Sequence, residues 1–228
     1  MAKKKVVIFG TSKVADIAYS SIQDDPASDL EAVAFCVDSK YYQESTKEGL
    51  PVVKFEEVES IYPPSEAAFF VAIGYHQMNT LREERCRAAR EKGYELVSFI
   101  DSRANIPSTV KVGENVLILN GVDIGPFSQI GDNVCIYSGA VISHHVTIGN
   151  HVWITSGTVI GGNSGIGDHC FLGINSTIGH NVLIGSNNFI GTNAVVTKNT
   201  PEDAVYIVAD TPKYRLNTAQ FLKLFRFD

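Results

Sequence analysis

The second half of the chain carries an aliphatic residue at every sixth position, and this period constrains the fold more than any other feature. The series runs without a slip through Ile106, Val112, Ile118, Ile124, Ile130, Ile136, Ile142, Ile148, Ile154, Ile160, Ile166, Leu172, Ile178, Ile184, Ile190 and Val196. Neither the 3.6-residue period of a helix nor the alternation of a strand gives this spacing. A short fixed repeat is typical of solenoids, in which each unit buries its apolar face against the next. We therefore expect short strands joined by tight corners, with Gly, Asn and Asp at the corners because these residues tolerate positive φ.

The first hundred residues follow a different pattern, in which apolar runs alternate with segments of helical spacing. The apolar runs predict strands at 5–10, 30–37, 51–53, 67–75 and 95–100, and the segments between them predict helices at 12–22, 55–61 and 78–92. Continuous apolar strands that alternate with helices are typical of a parallel sheet covered on both faces. The sequence thus predicts a Rossmann-like α/β domain over residues 1–101, a β-helix over 102–205 and a C-terminal tail over 206–228.

The repeat resembles that of the hexapeptide acyltransferases, and the two-part layout is similar to the sialic acid O-acetyltransferase group. The likeness is carried by the opening KVVIFGTSKVADIA, the strand VAIGY and the hexads that follow. That group includes N-acetyltransferases that act on nucleotide-linked amino sugars of bacterial glycans. The resemblance implies a left-handed parallel β-helix with three hexads per coil, acetyl-CoA as cosubstrate, and a homotrimer with active sites between subunits.

Two adjacent histidines in the segment ISHHVTIG are the candidate catalytic residues. By resemblance His144 matches the family's catalytic histidine, and His145 replaces the acidic residue that would orient it. Histidine suits proton removal from an attacking amine or hydroxyl because its pKa lies near working pH. A backbone carbonyl or Asp123 could orient His144 instead. The alternative is that both histidines are solvated corner residues.

With three hexads per coil, residues 18 apart stack at about 4.8 Å, the spacing between neighbouring strands. His144 then lies over Gly162, where the missing side chain predicts an open notch for the thioester arm. The resemblance implies coenzyme contacts at Gly162, Ile174 and Thr192, with Trp153 near the mouth of the groove; ordinary core packing is the alternative for Ile174.

A second pair of histidines is predicted to stack at another corner. His151 and His169 lie 18 residues apart, but the sequence places no carboxylate or thiol beside them. No metal site is therefore expected.

The N-terminal domain offers candidate substrate-binding residues where its predicted strands end. These are Gly10, Thr11, Ser12, Asp38, Gly74 and Tyr75. Ligands of parallel sheets bind at the carboxyl ends of strands, and a helix N-terminus presents unpaired N–H groups to phosphate. The full G-x-G-x-x-G fingerprint is missing, which disfavours NAD. A turn or capping role is the alternative for Asp38.

Composition narrows the class of protein further. The formal net charge of −6 disfavours nucleic acid as a partner, and no apolar run has the length of a membrane span. Four widely spaced cysteines and the lack of a signal peptide indicate a cytoplasmic protein. The sequence favours an N-acetyltransferase of a nucleotide-linked amino sugar. An O-acetyltransferase of sialic acid or a related sugar and a non-enzymatic trimeric scaffold are the alternatives.

Overall fold

The computed structural model describes residues 2–224 and contains two units that correspond to the two sequence patterns. The strands of the first unit are β1 Lys4–Phe9, β2 Leu30–Val37, β3 Thr46–Lys47, β4 Leu50–Lys54 and β5 Ala68–Val71. Its helices are α1 Lys13–Asp24, α2 Val58–Ile61 and α3 Thr80–Glu91, with a 3-10 turn at Ser39–Tyr41.

The first unit is a five-stranded sheet in the order β3-β4-β2-β1-β5. All of its neighbouring strands are parallel except β3 and β4, which form an antiparallel pair. Alternate residues of β1 enter two different hydrophobic clusters, with Val6 and Ile8 on one face and Val7 and Phe9 on the other. The sheet is thus buried on both faces, as its continuous apolar strands predict.

The predicted fifth strand of this sheet at 95–100 is confirmed only at Leu96 and is wrong at Phe99 and Ile100. Leu96 makes only an isolated bridge to Phe69 of β5. Phe99 and Ile100 pair instead with Leu117 and Ile118 in the second unit. An apolar run shows that a strand is buried but does not show which neighbour it pairs with.

The second unit is a parallel β-helix whose coils each contain three two-residue strands. Its strands are β6 Phe99–Ile100, β7 Lys111–Val112, β8 Leu117–Ile118, β9 Asp123–Ile124, β10 Gln129–Ile130, β11 Cys135–Ile136, β12 Val141–Ile142, β13 Thr147–Ile148, β14 Trp153–Ile154, β15 Val159–Ile160, β16 Gly165–Ile166, β17 Phe171–Leu172, β18 Thr177–Ile178, β19 Leu183–Ile184, β20 Phe189–Ile190, β21 Val195–Val196 and β22 Val205–Tyr206. From β7 to β18, each strand pairs in register with the strand 18 residues further on.

These strands form three sheets, which are the three faces of the β-helix. The domain face contains β6, β8, β11, β14, β17, β20 and β22. The valine face contains β9, β12, β15, β18 and β21, and the third face contains β7, β10, β13, β16 and β19. The predicted aliphatic series points inward, and all of it from Ile118 to Val196 lies in one buried cluster.

Each coil turns at three corners, and each corner places one residue in the left-handed backbone region. From Asn115 to Asn193, every sixth residue has positive φ, and these residues are Asn, Gly or His with Phe127 as the exception. The His144 corner (residues 144–145, 162–163 and 180–181) lies between the valine face and the third face. The His169 corner (150–151, 168–169 and 186–187) lies between the third face and the domain face. The Ile174 corner (156–157, 174–175 and 192–193) lies between the domain face and the valine face.

The domain face packs against the α/β unit. Its outward side chains, including Leu117, Cys135, Trp153 and Phe171, are buried in the same cluster as β1, β2 and α1. The corresponding column on the valine face is exposed, with Val141 and Val159 each about two-fifths accessible. The two units therefore share one continuous core, whose burial of apolar surface stabilises their relative position.

After the last coil the chain continues as an exposed tail. A short helix, α4 Thr218–Leu222, begins with a capping box in which Asn217 and Gln220 satisfy each other's backbone N–H groups. The end of the predicted tail, residues 225–228, lies outside the described residues. Within residues 2–224, no helix has the length and apolar character that crossing a bilayer requires.

Candidate active site

His144 is exposed at its corner, and its imidazole lies directly over Gly162. A Cβ atom added at Gly162 would come within 2.8 Å of Cε1 and 2.9 Å of Nε2 of that ring. The predicted stacking is therefore confirmed. The prediction of an open notch is wrong, because the imidazole itself fills the space that the glycine leaves.

His145 contacts His144 through a hydrogen bond between the two Nδ1 atoms, 3.1 Å apart. His145 has φ 56°, and this left-handed conformation turns its side chain back beside its neighbour. Its ring also packs on Phe127, with ring centroids 5.0 Å apart. Asp123, the sequence alternative, accepts a hydrogen bond from Asn105. His145 is thus the orienting partner in this arrangement.

This hydrogen bond defines which nitrogen of His144 can act as a base. One Nδ1 must donate and the other accept, since each neutral imidazole carries one proton. When His144 donates, its Nε2 keeps a lone pair that can remove a proton. A neutral His145 then accepts the bond where a carboxylate would stabilise the charged ring more strongly.

The predicted coenzyme residues divide between two corners. Gly162 lies at the His144 corner, whereas Ile174 and Thr192 stack one coil apart at the Ile174 corner, where both are exposed. Within the chain, the valine face separates the two groups. The prediction that Trp153 lies near the mouth of the groove is wrong, because it is 3% exposed. Its ring packs between Tyr75, Tyr137 and the Arg82 guanidinium in the contact between the two units.

A cavity of about 480 Å³ opens at the carboxyl ends of β1, β2 and β5. Five of the six predicted substrate-binding residues line it: Gly10, Thr11, Ser12, Asp38 and Gly74. Thr11 and Ser12 precede α1, so the helix N-terminus faces this space. Tyr75 is not among the lining residues and packs against Trp153 and Phe171.

Arg85 from α3 also lines the cavity and was not singled out by the sequence. Its Nη1 lies 3.1 Å from Oδ1 of Asp38, and both side chains are largely buried. Its buried Nε has no hydrogen-bond partner within the described residues. The pair places a cation and an anion side by side at the cavity wall. The sequence did show that the α3 segment has a charged face. The helical period of that segment does not tell which of its arginines reaches the end of β2.

The stacked pair at the His169 corner has a carboxylate beside it, which the sequence did not predict. The His151 and His169 rings lie 4.7 Å apart, and Glu83 of α3 approaches both. The ligand atoms of the three residues lie within 4.8 Å of one another. The expectation that no carboxylate completes this group is therefore wrong.

The tautomer of His151 nevertheless fits a metal poorly. Asn115 accepts a bond from Val71 N–H and donates to Asn133, and the Asn133 amide nitrogen then faces Nδ1 of His151 at 3.0 Å. An amide N–H only donates, so Nδ1 must accept and the ring proton lies on Nε2, the atom that faces Glu83. Burial and the neighbouring His169 also lower the pKa of His151. The group thus offers one carboxylate and one imidazole lone pair, fewer than the three or four protein ligands of a zinc site.

Comparison with known proteins defines the class. Residues 109–144, 127–162 and 163–198 match the profile described as bacterial transferase hexapeptide (six repeats). The second unit thus carries the bacterial transferase hexapeptide repeat, and the chain is similar to the hexapeptide-repeat acetyltransferases. No curated protein sequence matches it.

Among solved structures, the chain is similar to PerB of Caulobacter crescentus, solved in complex with CoA and GDP-perosamine. The identity is 28% with a TM-score of 0.79, over 90% of this chain and 94% of that one. The acetyltransferase domain of PglB from Neisseria gonorrhoeae has 20% identity and a TM-score of 0.79, over 89% of this chain and 96% of that domain. WeeI from Acinetobacter baumannii has 22% identity and a TM-score of 0.60, over 89% and 96% of the two chains. The last two likenesses concern the fold alone.

Proposed function

We propose that this protein is an acetyl-CoA-dependent N-acetyltransferase that acts on a nucleotide-linked amino sugar used for bacterial glycans. The observation that carries the proposal is the exposed His144–His145 pair on the β-helix, together with a ligand-sized cavity at the edge of the α/β sheet. The 28% identity to PerB, whose structure holds CoA and GDP-perosamine, supports the same pairing of substrates. Four buried free thiols are consistent with a reducing compartment such as the cytoplasm.

In the proposed reaction the amine of the sugar attacks the carbonyl carbon of the acetyl thioester. The new C–N bond forms, the C–S bond breaks, and the amine proton passes to Nε2 of His144. CoA leaves as a thiolate that can take this proton. A neutral His145 holds the ring with Nε2 free. An amine needs less help from a base than a hydroxyl does, so this pair suits an amine better.

The cavity of the α/β unit is proposed to hold the nucleotide. The N-terminus of α1 at Thr11 and Ser12 offers unpaired N–H groups to a diphosphate. Asp38 is held by Arg85 through Oδ1 alone, which leaves Oδ2 to accept hydrogen bonds from ribose or base. Both groups line the same wall, so one nucleotide can contact them together.

We further propose that the active sites form between the subunits of a homotrimer. His144 and Gly162 lie at one edge of the valine face, and Ile174 and Thr192 lie at the other. These residues can contribute to one site if the edges of two copies meet. The exposed valines of this face are the kind of apolar surface that marks contacts between proteins.

The first test is a thermal-shift screen with acetyl-CoA and UDP-, dTDP- and GDP-linked amino sugars, followed by turnover of His144→Ala. A ligand that binds only the native state raises the melting temperature. We expect shifts with acetyl-CoA and with one nucleotide, and a turnover loss of about 10²–10⁴-fold in the variant with unchanged stability. His145→Asn is the matched variant, because its amide oxygen can still accept from Nδ1 of His144. Undiminished turnover by folded His144→Ala would exclude the base role, and the absence of any coenzyme shift would favour a scaffold.

A further inference from the structure

The connection between β5 and α3 is strained where it borders the cavity. Gln77, Met78 and Asn79 have φ values of 52°, 50° and 69°, three successive residues in the left-handed region without a glycine. Such conformations persist only where surrounding structure holds them. His76 lines the cavity before this turn, and Leu81 and Arg85 line it afterwards. The turn therefore determines where one wall of the cavity lies.

The β-helix holds this turn through His169. Nδ1 of His169 lies 3.0 Å from the carbonyl oxygen of Met78. A carbonyl oxygen only accepts, so Nδ1 carries the proton and donates it. The contact joins residues 91 positions apart in sequence, one in each unit.

The other nitrogen of the same ring contacts the helix that follows the turn. Nε2 of His169 lies 3.4 Å from Oε2 of Glu83, in the first turn of α3. The stack on His151 fixes the plane of the ring, with centroids 4.7 Å apart and planes 29° from parallel. One imidazole thus contacts both the left-handed turn and the start of α3.

We propose that His169 is a positioning residue for the cavity, which holds the 77–79 turn through the Met78 carbonyl and thereby sets Arg85 against Asp38. The inference rests on the proposed function, because it takes the cavity to be the nucleotide site. His169 itself does not line the cavity. Its effect is therefore on nucleotide affinity and not on the chemical step at His144.

The test compares His169→Asn with His169→Ala. Asparagine tolerates the left-handed corner, as Asn187 does one coil further on, and its amide nitrogen can replace Nδ1 as donor to Met78. Alanine keeps no donor. Asn187→Ala is the matched control, since it places alanine at the same corner but away from Met78.

Binding of the nucleotide found in the screen is then measured by calorimetry, together with KM and kcat. We expect His169→Ala to weaken nucleotide affinity about fivefold, the equivalent of one hydrogen bond, and to raise KM for the nucleotide sugar with little change in kcat. His169→Asn and Asn187→Ala should stay near wild type. Equal affinity in folded His169→Ala, or equal loss in His169→Asn, would overturn the proposal.

Hydrogen exchange of the amides of residues 76–81 separates this inference from the proposed function. These amides should exchange faster in His169→Ala than in His169→Asn or Asn187→Ala, with no ligand present. If the wild type binds no nucleotide but shows this difference, the proposed function fails and the hold on the turn stands. If exchange in this segment is the same in all the variants, the positioning role is refuted.

Discussion

At the scale of single residues, two neighbouring glycines meet different obstacles. The three atoms nearest to a Cβ atom at Gly162 all belong to the exposed His144 ring, which can swing away. At Gly161 it would come within 2.6 Å of the backbone nitrogen of His180, and the next coil cannot move. Neither glycine has positive φ, so alanine meets no backbone penalty at either position.

We therefore predict opposite outcomes for the two substitutions. Gly162→Ala should displace His144 and lower kcat by up to about 10²-fold, because small misplacements of a catalytic group are costly, while stability barely changes. Gly161→Ala should reduce the free energy of unfolding by about 1–3 kcal/mol through overpacking. Chemical denaturation and initial rates on both variants check this. A stable, fully active Gly162→Ala would show that the ring position over Gly162 does not matter.

The sequence could predict the residues that lie within the repeat but not those that reach it from elsewhere. His144 and Gly162 stack because a period of 18 fixes their register, which the spacing alone reveals. Glu83 and Arg85 come from α3, and their partners lie 86 and 47 positions away in His169 and Asp38. No local pattern encodes such contacts, since they depend on how α3 packs against both units.

At the scale of the structural element, the corners show what the repeat demands and where it is violated. Phe127 has φ 63°, a conformation that a bulky side chain rarely adopts, and its ring is more than half exposed. Because the ring faces solvent, its packing contributes little free energy to offset the conformational strain. The ring does contact His145. The strain therefore lies beside the candidate catalytic pair, which is where stability is often given up for function.

We predict that Phe127→Asn raises the free energy of unfolding by about 1 kcal/mol, the scale of left-handed strain for an ordinary residue. Turnover should fall, because His145 loses the ring that packs on it. Asn163 occupies the same corner position one coil after His145. The reverse change there, Asn163→Phe, should destabilise the folded state by a similar amount. Urea denaturation of both variants measures this. If Phe127→Asn proves less stable than wild type, the ring's packing outweighs its strain.

The two units differed in how far their elements could be predicted. The hexad period repeats sixteen times and is compatible with only one placement of the strands, so the strands from β7 to β21 agree with prediction. The elements of the α/β unit are short, and none is repeated along the sequence. The run at 95–100 is apolar because it is buried between the units, and burial alone does not distinguish the last strand of one sheet from the first of another.

At the scale of the whole molecule, the contact between the units contains a histidine that makes the folded state less stable in acid. Burial, together with the neighbouring His169, lowers the pKa of His151. In the unfolded chain His151 takes up a proton near its ordinary pKa of about 6.5. In the native state it does so only at a lower pH. Linkage then requires stability to fall as pH falls through this range.

We predict that His151→Asn reduces this acid sensitivity. Between pH 7.5 and 5.5 the wild type should lose more unfolding free energy than the variant, by at most about 1.4 kcal/mol per pH unit, the limit for one proton. Asparagine suits the left-handed corner, so the variant should fold. Denaturation curves at both pH values give the comparison. Identical pH dependence in the two proteins would mean that His151 does not titrate in this window.

The division of candidate site residues between two corners leads to a prediction about the assembly. His144→Ala removes the proposed base at one edge of the valine face, and Thr192→Trp obstructs the exposed corner at the other edge. Each variant alone should be inactive, while light scattering should report three copies for both. If one copy's His144 works with the next copy's Thr192, mixed trimers contain intact sites. Random mixing joins the two intact corners at about one contact in four, so co-expression should restore up to about a quarter of the wild-type rate.

The control is the same pair of changes in one chain, His144→Ala with Thr192→Trp, co-expressed with an inactive His144→Ala chain. No site in that mixture has an intact His144, so its rate should stay at background. If differently tagged copies of the two single variants co-purify yet no activity returns, each copy holds its own complete site. The proposed site between subunits would then fail.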